Sequence, residues 1–144
     1  MTEALRQHFA DYAAFHRTPG NKVCHSFGIP IIVLSLLALM ARVPLVTVGG
    51  FTVTLAEILI AVFVAYYLTL DAALAAFMLA VYAALAALGR VIPPVPALGL
   101  FVFGWVLQGV GHYVYEKNSP AFLRNFVHLA IGQLWILAKA VGRA

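Results

Sequence analysis

The sequence predicts an all-α integral membrane protein: one domain over residues 1–144, built as a helical bundle of four or five transmembrane helices with an N-terminal amphipathic helix. Two observations support this fold class. Hydrophobic residues make up 64% of the 144 residues and charged residues only 10%, and the mean hydropathy of +0.98 is far from that of a soluble domain. Five apolar stretches, most of them near the roughly 20 residues that a spanning helix needs, cover 29–41, 51–70, 72–89, 97–115 and 121–138.

The N-terminal helix is predicted from the spacing of its apolar and aromatic residues. Leu5, Phe9, Tyr12 and His16 follow one another at intervals of three or four residues, which places them on one face of a helix. We therefore expect His16 to face protein or membrane. His8 shares a face with Tyr12 and is expected to lie at the membrane interface.

Proline and glycine separate most of the apolar stretches, at 19–20, 43–50, 93–96 and 119–120. Only Asp71 divides 51–70 from 72–89, so these two stretches should form a tight helical hairpin if both span. Asp71 is expected to be solvated or to cap a helix, and Glu57 to be interfacial or hydrogen-bonded inside the bundle.

The first apolar stretch, 29–41, is short, and either residues 43–48 extend it or it is tilted or re-entrant. The last stretch either spans the membrane or lies in its interface.

A polar stripe interrupts the fourth apolar stretch. Gln108, His112 and Glu116 are four residues apart, and on an α-helix this spacing stacks them along one face. Polar and ionisable groups are costly beside lipid, so such a stripe should point into the bundle. The stripe is therefore the first candidate for a functional site.

The predicted topology brings a second group of polar residues to the same side of the membrane. From His16 and His25, ahead of the first apolar stretch, four crossings return the chain to its starting face at His112 and Glu116. This face also holds most of the basic residues, and the positive-inside rule makes it cytoplasmic. Basic residues on this face are Arg6, Arg17, Lys22, Lys117 and Arg124, against Arg42 and Arg90 opposite. The composition favours a bacterial inner membrane.

Two separated motifs carry a resemblance to a known family. The first motif comprises Tyr12-x3-His16, Pro19-x-Asn21-x3-His25 and Pro30, and the second comprises Gly104-Trp105-x2-Gln108-x2-Gly111-His112-x3-Glu116-Lys117 and Pro120-Ala121. Together they make the chain resemble the 2-hydroxy fatty acid dioxygenase family over nearly its whole length. The resemblance implies an enzyme that uses Fe(II) and dioxygen to convert a long-chain 2-hydroxy fatty acid to the fatty acid one carbon shorter.

Imidazole and carboxylate side chains are the ligands that hold ferrous iron with open coordination positions, which fits this activity. The expected metal ligands are His16, His25 and His112. The expected catalytic residues are Glu116, Gln108 and Asn21, of which the two amides should orient other groups and not touch the metal. His128 and Glu116 remain possible additional ligands. A cationic side chain near the membrane surface, from Arg17, Lys22 or Lys117, could neutralise the substrate carboxylate.

Two other function classes stay open. Di-iron fatty acid hydroxylases and desaturases carry several HxxxH and HxxHH boxes, and no two of the five histidines here have that spacing. A non-enzymatic membrane protein, such as a lipid carrier or assembly factor, could use the polar residues only to tie helices together. Membrane lipid is an expected partner and nucleic acid is not. Metal content would separate an iron enzyme from the non-enzymatic alternative.

Overall fold

The computed structural model describes residues 1–123 and 125–144, apart from the side chain of Ala121, and it confirms an all-α fold with membrane-compatible helices. Arg124, counted above among the basic residues, lies outside the described residues. The elements of the described chain are α1 (Glu3–Ala14), α2 (Pro19–Met40), β1 (Pro44–Val48), β2 (Phe51–Thr54), α3 (Leu55–Leu70), α4 (Ala72–Val91), α5 (Pro94–Gly109), a π-helix (Val110–Glu116), a short 3-10 helix (Ala121–Leu123) and α6 (Val127–Ala140).

Three helices of the described chain are long and apolar enough to cross a membrane: Pro19–Met40, Ala72–Val91 and Pro94–Glu116. Helices α3 and α6 are also apolar but have 16 and 14 residues, fewer than the roughly 20 that span a bilayer without tilt or thinning. The predicted total of four or five transmembrane helices depends on these two short helices, and it stays a prediction.

The chain divides into two compact units. The first contains Met1–Pro30 and Phe103–Ala144, and the second contains Ile31–Val102. Helices α2 and α5 each contribute residues to both units. The description of residues 1–144 as one domain stays a prediction.

In the first unit, helix α2 begins ten residues earlier than the apolar stretch that predicts it. Pro19 is the first helical residue, a position where proline is favourable because its missing N–H would have no helical partner. The Pro19-Gly20 pair, read from sequence as a break, therefore starts the helix. As a result, Asn21 and His25 lie on the same helix as the apolar residues that follow them.

In the second unit, a β-hairpin precedes helix α3. Its second strand replaces the helix start predicted from residue 51, and its first strand rules out the alternative that residues 43–48 extend the preceding helix. Strands β1 and β2 pair antiparallel, and the turn between them uses Gly49 and Gly50 at positive φ angles of 58° and 81°. A Gly-Gly turn with φ above zero at both positions suits a tight hairpin, and valine and threonine favour strands. Hydropathy alone does not separate such residues from a spanning helix.

The hairpin changes the position of Glu57 within its helix. Because α3 starts at Leu55, Glu57 occupies its first turn and forms a capping box with Thr54, whose backbone N–H donates to Oε2 over 2.7 Å. The other carboxylate oxygen of Glu57, Oε1, accepts a hydrogen bond from Nη2 of Arg90 over 2.9 Å. Asp71 caps α4, where Oδ1 accepts the backbone N–H of Leu74 over 3.0 Å. These contacts confirm the hydrogen-bonded role expected of Glu57 and the capping role of Asp71.

Candidate metal centre

Three buried histidines converge within the first unit. His16 follows α1, His25 lies in the second turn of α2, and His112 lies in the π-helix that continues α5. Their ring centroids are 4.4 Å apart for His16 and His25, 4.7 Å for His25 and His112, and 4.9 Å for His16 and His112. One nitrogen from each ring lies within 4.8 Å of the others, and all three side chains are 2 to 3% exposed. This arrangement could hold one metal ion.

Backbone carbonyls fix the tautomers of two of these rings. Nδ1 of His16 is 2.7 Å from the carbonyl oxygen of Tyr12, and Nδ1 of His25 is 3.0 Å from that of Asn21. A carbonyl oxygen only accepts, so each Nδ1 carries the proton and donates it, and each Nε2 keeps its lone pair. Metal-binding histidines are commonly oriented by such bonds. Nε2 of His16 and Nδ1 of His112 are buried and have no hydrogen-bond partner among the described residues.

Burial also sets the charge of His16. Loss of solvent lowers the pKa of its imidazole to about 4, more than the bond to the Tyr12 carbonyl raises it. His16 is therefore neutral at physiological pH, which is the form that binds a metal ion.

Tyr12 holds the ring of His16 by stacking. The two ring centroids are 3.9 Å apart with an interplanar angle of 14°. On its other sides Tyr12 contacts α6, with Trp135 at a centroid distance of 5.2 Å. A Cβ atom placed on Gly132 would lie only 2.7 Å from the Tyr12 hydroxyl, so glycine lets α6 pack this closely. The sequence places Tyr12 on the same helix face as His16 and in the first motif, and the spacing of four residues is the signal for this stacking.

The Glu116 carboxylate is hydrogen-bonded to the residues at the start of helix α2. Its carboxylate accepts the backbone N–H of Arg17 at 3.0 and 3.1 Å, and both the backbone N–H (3.0 Å) and the hydroxyl (2.9 Å) of Thr18. Oε2 also accepts from Nδ2 of Asn21 over 3.1 Å. A carboxylate is favourable at a helix N-terminus, where free N–H groups carry partial positive charge. Glu116 thus joins the end of the π-helix to the residues that position His16 and His25.

Asn21 lies between Glu116 and the histidines. Its Nδ2 donates both to Glu116 and to the carbonyl oxygen of Phe15, at 3.2 Å, and two acceptors on one side identify that atom as the amide nitrogen. The amide oxygen Oδ1 therefore points away from Glu116. This oxygen is buried and has no hydrogen-bond partner among the described residues.

The expectation of an α-helix over the whole polar stripe is wrong beyond Gly109, because Val110–Glu116 forms a π-helix. Short π-helical segments are frequent at functional sites, and the wider turn changes which side chains share a face. Gly111 permits the close contact with α2. A Cβ atom there would meet Oδ1 of Asn21 and lie 3.1 Å from Cβ of Cys24 and 3.2 Å from Nδ1 of His25.

Gln108 packs against α2 one turn before His112. A Cβ atom on Gly28 would collide with Nε2 of Gln108, and this buried Nε2 has no hydrogen-bond partner among the described residues.

Of the three cationic side chains suggested for substrate binding, Arg17 and Lys117 are exposed and Lys22 is half-buried.

The other two histidines stay outside the group of three. His128 is buried in α6, with its ring centroid 5.9 Å from those of Tyr12 and Phe15, and His8 is half-buried on α1. Neither belongs to the set of nitrogen atoms that lie within 4.8 Å of one another in the described chain.

Comparison with known proteins agrees with the two sequence motifs. The model of the Mpo1-like family, described as "2-hydroxy-palmitic acid dioxygenase Mpo1-like", matches residues 2–144. A protein of Saccharomyces cerevisiae named 2-hydroxy-palmitic acid dioxygenase MPO1 is 32% identical over 127 residues, which cover 85% of this chain and 71% of the yeast protein. No solved structure matches the chain.

Proposed function

The chain belongs to the Mpo1-like family, and from this premise we propose that it is an Fe(II)-dependent dioxygenase that shortens 2-hydroxy fatty acids by one carbon. The reaction R–CH(OH)–COOH + O2 → R–COOH + CO2 + H2O balances without a further reductant. The bond between C1 and C2 breaks, the substrate supplies all four electrons that reduce dioxygen, and the hydroxyl-bearing carbon becomes the new carboxyl carbon. No 2-oxoglutarate is therefore required.

The observation that carries the proposal is the group of three buried imidazoles. We assign His16, His25 and His112 as ligands of the iron, because one nitrogen of each lies within 4.8 Å of the others. The backbone bonds keep the proton on Nδ1 of His16 and His25, so that Nε2 of each ring has its lone pair available for the metal. Three protein ligands leave coordination positions open. Iron bound there would supply the positions at which the 2-hydroxy acid and dioxygen meet and react.

Glu116 is assigned a positioning role and not a place among the ligands. Its carboxylate oxygens are already engaged by Arg17, Thr18 and Asn21, all at the start of α2. Releasing them would leave the backbone N–H groups of Arg17 and Thr18 without these acceptors. Glu116 and Asn21 together hold the chain between His16 and His25 in place.

Two side-chain amides each have a hydrogen-bonding atom available for the substrate. Oδ1 of Asn21 can accept from the 2-hydroxyl group, and Nε2 of Gln108 can donate to the carboxylate, since neither atom has a partner among the described residues. Buried amides with an unused donor or acceptor are costly unless a ligand satisfies them. Lys22 or Lys117 would neutralise the carboxylate as it enters.

The acyl chain would approach through the membrane. Val23 and Phe27 on α2, together with Phe103 and Val106 on α5, present exposed apolar side chains in the same unit as the histidines. An acyl chain beside these residues stays in an apolar environment while its polar end reaches the site. Basic residues are more numerous on the face predicted for the N-terminus, which favours a site at the cytoplasmic face. The composition favours a bacterial inner membrane.

The test is a turnover assay with purified protein loaded anaerobically with ferrous iron. On exposure to air, 2-hydroxypalmitic acid should be converted to pentadecanoic acid with matched consumption of dioxygen, and omission of 2-oxoglutarate should have no effect. Palmitic acid, which lacks the hydroxyl group, should remain unchanged. Oxidation of palmitic acid in place of the 2-hydroxy acid would assign the chain to the hydroxylases, and absence of bound iron would favour the non-enzymatic alternative.

A further inference from the structure

The second unit contains an apolar groove that the proposed reaction does not use. The groove lies between α3 and α4 and has a volume of about 700 Å³. All of its lining residues belong to Ile31–Val102, whereas the three histidines belong to the first unit. Small side chains on the two helices create the space: Ala61, Ala65, Ala83, Ala86 and Ala87.

The groove is polar at one end and apolar along the rest of its length. The ion pair of Glu57 and Arg90 lies at the polar end, and the Arg90 guanidinium lies 5.0 Å from the centroid of the Phe51 ring. The other end is formed by Leu68 and Leu79. From Glu57 to Leu68 helix α3 advances about 16 Å at roughly 1.5 Å per residue. This is close to one leaflet of a hydrocarbon core about 30 Å thick.

Two arginines near the polar end have unused hydrogen-bond donors: Arg90 lines the groove, and Arg42 lies beside it, bonded to the Arg90 carbonyl oxygen. Arg90 donates to the carbonyl oxygen of Thr52 over 3.1 Å and to Glu57 over 2.9 Å, both from Nη2. Arg42 donates to the carbonyl oxygens of Arg90 and Ile92, again only from Nη2. Since a guanidinium has five N–H donors, Nε and Nη1 of both side chains remain free of partners among the described residues. A forked, permanently charged donor of this kind suits a phosphate group.

We propose that this groove binds one acyl chain of an anionic membrane phospholipid, with the lipid phosphate held by Arg90 and Arg42. The groove matches such a lipid in length and in apolar character, and the two arginines against the single carboxylate of Glu57 leave one net positive charge beside its polar end. Leu68, Leu79 and Ala83 are exposed, so the groove opens sideways to the surrounding lipid. The site does not depend on the proposed dioxygenase activity.

Native mass spectrometry of the full chain in detergent tests the proposal with two probes, dioleoyl phosphatidylglycerol and dioleoyl phosphatidylcholine. The wild-type chain should retain the anionic lipid about fivefold more strongly, because a basic side chain gains roughly that factor at an anionic membrane surface. Ala83→Phe should fill the groove and abolish retention. Ala84→Phe is the matched control, since Ala84 is exposed on the same helix but does not line the groove. Ala87→Leu is a smaller filler that serves if Ala83→Phe fails to fold.

The charge of the site is tested through Glu57. Glu57→Gln removes the carboxylate that competes for Arg90, while glutamine still completes the capping box of α3, so phosphatidylglycerol should be retained more strongly. The triple variant Glu57→Gln with Arg90→Gln and Arg42→Gln should lose the preference for the anionic lipid, because it leaves no charged side chain at the site.

Three results would overturn the lipid proposal. The wild-type chain could retain the two lipids equally, or Ala83→Phe and Ala87→Leu could retain phosphatidylglycerol as strongly as the wild type. In the third, 2-hydroxypalmitic acid displaces phosphatidylglycerol from the wild-type chain and Ala83→Phe loses turnover. The last would make the groove a substrate site. Iron content and turnover of Ala83→Phe otherwise stay at the wild-type level, which separates this proposal from the dioxygenase assignment.

Discussion

Oε2 of Glu116 accepts both the backbone N–H and the hydroxyl of Thr18, at 3.0 and 2.9 Å, across 98 positions of sequence. Thr18 immediately precedes the first residue of α2, so this contact links the end of the second motif to the start of the helix that carries His25. The geometry of the histidine group therefore depends on a residue that need not touch the metal.

Glu116→Gln should weaken iron binding without removing a ligand. The amide keeps one acceptor but loses the negative charge at the N-terminus of α2, at an expected cost of about 1–2 kcal/mol in stability. Iron affinity should fall about 10- to 100-fold, as for other residues that orient metal ligands. Anaerobic iron titration and the thermal unfolding midpoint would measure both effects. A variant with normal stability but no detectable iron would instead make Glu116 a ligand.

Gly111→Ala should disrupt the site, whereas Gly109→Ala should not. A Cβ atom on Gly111 would collide with Oδ1 of Asn21, and overpacking of this kind typically costs about 1–3 kcal/mol. A Cβ atom on Gly109 meets nothing within 4 Å, and alanine there should be neutral or stabilising by up to about 1 kcal/mol. Unfolding midpoints and iron content of the two variants provide the comparison. Equal behaviour would show that the close contact between the π-helix and α2 is not required.

The two ends of the assembled site should open to the same side of the membrane. Arg17 and Asn118 are both exposed, so a cysteine at either position can react with a membrane-impermeant maleimide once Cys24 is replaced by alanine. Both positions should be labelled from the cytoplasmic side of oriented vesicles, and the chain with only Cys24→Ala should stay unlabelled. Labelling of the two positions from opposite sides would contradict the predicted even number of crossings.

Sequence reasoning predicted the meeting of His16, His25 and His112, because the order of apolar stretches determines which polar residues can share a membrane face. It missed the hairpin at Pro44–Thr54, since its valine, leucine and phenylalanine residues are apolar enough to resemble part of a membrane helix. The π-helix at Val110–Glu116 has no comparable sequence signal. The contacts of Glu116 were also missed, because two of its partners are backbone N–H groups of Arg17 and Thr18, which no residue pattern identifies.

The iron content of His112→Ala tests the central claim most directly. His128→Ala is the matched control, because His128 is equally a buried histidine of the first unit but lies outside the group of three. After anaerobic loading and gel filtration, wild-type protein and His128→Ala should each retain about one iron per chain, and folded His112→Ala should lose most of it together with turnover. If folded His112→Ala kept its iron and its rate, the three histidines would not be the metal centre.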